Sequence, residues 1–189
     1  MAESPYLHAE LGFGFEMPSG WTLDLASSTH PLFPILLSMR AGSARVMLAA
    51  RAAAHADPGE RASAMKDELA ARGIEGRPVA GALHVPGTAN VADVEFQIAG
   101  ETQHWISLVT DGVEFSFTHT GPYADVRNGL AGIAATFRKP AAEQAQRFLS
   151  AHTRQAFAPG PEELAGLSHF QRVAARFNVP PAKRPRRGS

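Results

Sequence analysis

Two histidines carry the most specific chemistry in this sequence. His104 lies in the run TQHWISLVT and His119 in VEFSFTHT, and Asp111-Gly112 separates the two runs. Asp-Gly between alternating β-rich runs predicts a two-residue hairpin turn, because both residues tolerate positive φ. With Thr110 opposite Val113, Leu108 faces Phe115, Ile106 faces Phe117 and His104 faces His119. Two imidazoles on neighbouring strands could hold a divalent metal if a carboxylate completed the set, since zinc needs three or four ligands. Asp93 and Glu101 are the nearest carboxylates in sequence. The plainer reading is favoured: the pair sits at the rim of an apolar face and hydrogen-bonds to backbone or water. No metal or cofactor is therefore assigned.

Other chemistry has less support. The chain has no cysteine, so thiolate catalysis and disulfides are excluded. It also has no G-x-S-x-G elbow, H-E-x-x-H helix or Walker loop, which lowers the weight of an enzyme. Gly12 and Gly14 lack the third glycine and the preceding strand of a dinucleotide loop. The tail residues Lys183, Arg184, Arg186 and Arg187 could contact phosphates. No aromatic residues are interleaved with them for base stacking, and a solvated tail is the simpler reading.

The elements that must position these residues follow from periodicity. Strands are predicted over residues 11–17, 35–39 and 45–51. Asp57-Pro58 with Glu60 opens a helix, with Asp57 as N-cap, and Gly73 closes it. Ala62, Met65, Leu69 and Ala70 form its apolar stripe, while Arg61, Lys66, Asp67 and Glu68 are expected on a solvated face. Residues 74–81 read as a connection and 82–85 as a short strand. Three strands follow from Val91 to Thr120. A three-residue loop, Ala99-Gly100-Glu101, is preferred between the first two, because it places Val94 beside Ile106 on one continuous apolar face. Residues 123–137 then make an amphipathic helix with Val126, Leu130, Ile133, Ala134 and Phe137 inward.

At 189 residues, 44% hydrophobic and 19% charged, the chain is globular and can bury a core. Residues 1–138 carry 9 Lys and Arg against 15 Asp and Glu, whereas residues 139–189 carry 9 against 3. An acidic body thus precedes a basic extension. The extension reads as two amphipathic helices, over 141–157 and 161–177, and a Pro-rich basic end expected to be disordered. Neither helix can form a core alone, so both must dock on the body, on each other or on a partner. The N-terminus has neither the basic nor the apolar region of a secretory signal, and the expected compartment is the cytoplasm.

Two short motifs carry a family resemblance. Phe15-Glu-Met-Pro18-Ser-Gly20-Trp21 resembles the F-x-x-P-x-G-W opening of the PsbP-like family. Ile133-Ala-Ala-Thr136-Phe137-Arg138 is similar to that family's I-x-x-S-F-R ending. The resemblance covers about residues 8–138 and implies an α/β/α sandwich around an antiparallel sheet. The family includes photosystem subunits, a Ran-binding import factor, bacterial lipoproteins and adaptor chaperones of type VI secretion, most of them binding proteins. The absence of a lipobox cysteine argues against the lipoprotein branch.

The sequence thus predicts an α+β domain over 1–138, a two-helix arm over 139–177 and a basic tail over 178–189. The expected function is non-enzymatic protein binding of adaptor or chaperone type, with an association with bacterial secretion as its narrower form. The expected partner is a protein or peptide, with an oligomer of the chain as a further option and nucleic acid disfavoured. The proposed anchors are Trp105, Phe148, Leu149, Leu167 and Phe170, at helical or sheet-face positions that suit a helix in a groove. The rivals are a small-molecule or metal-binding enzyme at the His104/His119 rim, and a nucleic-acid accessory protein acting through the tail.

Overall fold

The computed structural model describes residues 5–25, 35–80, 83–87 and 91–152. Its first unit is a small hairpin of β1 (Pro5–Leu7) and β2 (Gly14–Glu16), with Tyr6 opposite Phe15. The sequence predicted one strand over 11–17. Gly12, at φ 75°, instead turns the chain between two strands.

The main sheet contains β3 (Thr22–Leu25), β4 (Ile35–Ala41), β5 (Ala44–Ala52), β6 (Gly76–Pro78), β7 (Val91–Ile98), β8 (Glu101–Thr110) and β9 (Val113–Thr120). Its spatial order is β3-β4-β5-β9-β8-β7-β6, and every pairing is antiparallel. β3 and β6 were not expected from the sequence, because short edge strands carry little alternation. Residues 83–85 are irregular and not a strand.

The helices are α1 (Pro58–Ala70), α2 (Tyr123–Thr136) and α3 (Ala142–His152). Asp57 caps α1 as its spacing predicts, accepting the Glu60 N–H at 2.9 Å. α2 and α3 share one core with a sheet face built from Leu37, Leu48, Ile106, Phe115 and Phe117. On the other face α1 sets Met65 and Leu69 against Val94, Phe96 and Trp105. Helices therefore cover both faces of an antiparallel sheet, and the class is α+β. Among the described residues no helix is long and apolar enough to cross a membrane.

Two further expectations need correction. The β7–β8 loop has two residues, with Ile98 opposite Glu101, and Val94 accordingly faces Trp105. Ala99 at φ 53° and Gly100 at φ 83° form the tight turn. Alanine seldom adopts that conformation, so the sequence carried no Asn-Gly or Asp-Gly signal for it. The slip of one residue puts Asp93, instead of Val94, beside Ile106. The second correction concerns α1. Arg61 and Glu68 are not solvated but lie 2% and 7% exposed, in the stripe that faces the sheet.

Candidate functional site

The hairpin brings the two histidines together, and its chemistry is inward. The backbone N–H of His104 donates to His119 Nε2 at 2.9 Å, and His119 Nδ1 lies 3.2 Å from the Gly121 carbonyl oxygen. An acceptor at Nε2 puts the proton of the neutral ring on Nδ1, which donates to Gly121. Burial pushes His119 down to about 4, with the Gly121 carbonyl opposing that shift and the neighbouring His104 adding to it. Neither ring nitrogen of His119 is left to ligate a metal in this arrangement.

His104 is held by carboxylates. Its Nδ1 lies 3.0 and 3.2 Å from the two Asp93 oxygens, and its Nε2 lies 3.9 Å from Glu95 Oε2. Burial raises the Asp93 pKa, and the His104 hydrogen bond works against that rise. Glu95 in turn accepts from Arg77 Nη2 at 2.7 Å. Gly121, at φ 85°, turns the chain from β9 into α2, which places Tyr123 over His104 with ring centroids 3.8 Å apart. Glu101, the other carboxylate considered, stands an odd number of residues from His104 on β8 and so faces the opposite side. Among the described residues no group of three His, Asp or Glu is arranged to hold a metal ion.

The partner-binding candidates are also largely interior. Trp105 is fully buried, donates from Nε1 to Ser116 Oγ at 2.7 Å and lies 5.1 Å beneath the Arg61 guanidinium. Phe148 is 8% exposed, and Leu149 packs half-buried against the same core. Trp105 packs beneath α1, while Phe148 and Leu149 hold α3 on the other sheet face, so Trp105 and Phe148 are not exposed anchors. Leu167 and Phe170, the second arm helix and the basic tail lie outside the described residues.

Beside Trp105 lies a charge network that the sequence did not reveal. Glu114, fully buried, sits 2.6 Å from Arg61 Nη2 and 2.8 Å from Arg51 Nε, and accepts from Ser107 Oγ at 2.9 Å. Burial opposes its ionisation, but the two guanidiniums prevail and hold it below the usual carboxylate range. The available signal was Arg61 standing one helical turn before Met65, within the apolar stripe of α1.

At the opposite end of the hairpin from the histidines is a groove of about 510 Å³, lined by residues 85–87, 108–111 and 137–139. Leu108, Val109 and Phe137 are buried apolar residues in its wall. Arg138 and Lys139 stand beside them with about two-thirds of each side chain exposed, and Lys139 Nζ lies 3.2 Å from Asp111 Oδ2. Local structure sets this geometry. α2 ends where Phe137 turns extended, and the next residue bridges to Gly14 through two backbone hydrogen bonds of 2.7 and 3.0 Å.

No family model matches the chain, and no curated protein does. Comparison with solved structures finds a likeness to cyanobacterial PsbP (CyanoP) from Synechocystis sp. PCC 6803. The TM-score is 0.50 at 11% identity, covering 74% of this chain and 94% of that one. A protein from Bacteroides thetaiotaomicron VPI-5482 aligns with a TM-score of 0.49 at 14% identity, over 76% of this chain and 50% of that one. The fold is therefore PsbP-like, as the two sequence motifs implied.

Proposed function

We propose that this chain is a non-enzymatic binding domain of adaptor type, which holds a segment of a protein partner in the groove at the Asp111-Gly112 end of the hairpin. The observation that carries this reading is the groove itself, where the exposed side chains of Arg138 and Lys139 stand between the β8–β9 turn and the end of α2. A volume of about 510 Å³ falls within the range of small-ligand and short-peptide sites. The histidine pair weakens the metal-site rival, because both His119 nitrogens and His104 Nδ1 are engaged with the backbone and with Asp93. The family resemblance adds a narrower role, the loading of a secreted effector in a bacterium.

A photo-crosslinking amino acid at Thr110, in the groove, and a second at Asp67, on the exposed side of α1, test the reading in the full-length chain. A partner captured through Thr110 and not through Asp67 is the expected result. Capture from neither position, or equally from both, would count against the groove.

A further inference from the structure

The β8–β9 ladder stops before its strands do. Its register runs from Thr110 opposite Val113 to Ile106 opposite Phe117, and both strands continue past that pair. Bonded pairs recur at every second residue of an antiparallel ladder, so the rung after Ile106/Phe117 falls at His104 and His119. There the two backbones are no longer paired, and the acceptor of the His104 N–H is a ring nitrogen of His119.

The same ring closes the corner into α2. His119 Nδ1 and Gln103 Nε2 both donate to the Gly121 carbonyl oxygen, at 3.2 and 3.1 Å. The first turn of α2 has no side-chain cap at Pro122. This clasp and the stacking of Tyr123 on His104 therefore fasten the helix start to β8.

We infer that His119 is an acid-released clasp: protonation at Nε2 detaches the corner from His119 to Tyr123 from β8, while the rest of the sheet stays paired. A protonated Nε2 is a donor facing the donor N–H of His104. It also sets a cation beside the N-terminus of α2, where the helix dipole disfavours it. The open corner uncovers Tyr123 and the Asp93–His104 pair, and it is independent of the groove reading.

The charged and titratable surroundings of the ring are few. β8 presents His104, and β7 presents Asp93 and Glu95, with Arg77 of β6 behind Glu95. α2 presents Tyr123, with Arg127 near it, and the β5 residue opposite His119 is the apolar Val46. Asp93 opposes release, because burial raises its pKa and the closed corner takes up its proton more readily. In the open corner His119 returns towards its ordinary 6.5, against about 4 when closed. Opening should therefore rise roughly tenfold per pH unit as pH falls through that window. Glu68 is buried on α1, which covers the other sheet face, and opening of this corner leaves it in place.

The test is hydrogen exchange of the full-length chain, read by mass spectrometry from about pH 7 to about pH 4.5 and corrected for intrinsic exchange rates. Segment 119–124 is expected to lose protection roughly tenfold per pH unit below about pH 6.5, while segments 107–116 and 58–70 keep theirs. His119→Gln, whose amide oxygen accepts from the His104 N–H at any pH, should hold the corner closed throughout. Equal loss in all segments, or undiminished loss in His119→Gln, would overturn the clasp. The imidazole nitrogen shifts of the unaltered chain give a check that needs no variant. They should show the Nδ1–H tautomer at neutral pH, with protonation in step with exchange of the corner. An Nε2–H tautomer at neutral pH would equally overturn the inference.

Discussion

The His104 backbone N–H donates to the imidazole Nε2 of His119 at 2.9 Å. A ring nitrogen that accepts this bond cannot also carry a proton, so the contact requires His119 to be neutral.

A pH dependence follows, and Glu68 opposes it. His119 has a folded pKa of about 4 against an ordinary 6.5. Below pH 6.5 the unfolded chain gains a proton that the folded chain refuses, and stability falls by about 1.4 kcal/mol per pH unit until about pH 4. Burial raises Glu68 from 4.5 to about 7, partly offset by Arg51, Arg61 and Arg72. Between pH 7 and 4.5 the folded chain holds a proton there that the unfolded chain has released, so this group adds stability as pH falls. The two slopes cancel between about pH 4.5 and 6.5. Urea unfolding across that window should therefore show Glu68→Gln losing stability on acidification and His119→Gln gaining it. Parallel curves for the two variants would refute the pairing.

Glu114 is fully buried between Arg51 and Arg61. Glu114→Gln removes the charge that compensates both guanidiniums, and should cost about 3 kcal/mol in denaturant unfolding. Adding Arg61→Gln should recover part of that loss. A strictly additive double variant would show that the ion pair is not coupled.

Trp105 is an interior anchor, not a docking surface. Trp105→Phe removes its hydrogen bond to Ser116 and should cost about 1–2 kcal/mol. Partner binding by the folded variant should be unchanged. A variant of normal stability that loses its partner would restore Trp105 as a contact residue.

Gly129, within α2, lies against the indole of Trp21, and an added Cβ would stand 2.5 Å from Cε2. Gly129→Ala gains roughly 1 kcal/mol of helix propensity. It must also displace a large ring from a packed core, which costs typically 1–3 kcal/mol. Net destabilisation is expected, with the Trp21 fluorescence shifted. A raised melting temperature would show that the indole moves aside freely.

Much of the fold was legible in the sequence because local chemistry agreed with tertiary demand. Asp111-Gly112 specifies its own turn, and the register it imposes brings Leu108 to Phe115 and Ile106 to Phe117. Asp57 and Pro58 similarly marked the start of α1. The β7–β8 turn was misread because Ala99 adopts positive φ without a residue type that advertises it. The groove was not legible, since residues 85–87, 108–111 and 137–139 meet only in space.

By itself, then, the sequence determined the central hairpin, the histidine pairing and the α+β class, because each depends on the period of side chains along a short segment. Only the tertiary structure decided what those residues do. Asp93, and not Val94, shares the histidines' face because a loop is one residue shorter. Arg61 and Glu68 are interior because α1 turns that stripe onto a sheet already holding Glu114. Whether a charge meets water or another charge depends on what the rest of the chain places opposite it, and periodicity along one element carries no record of that.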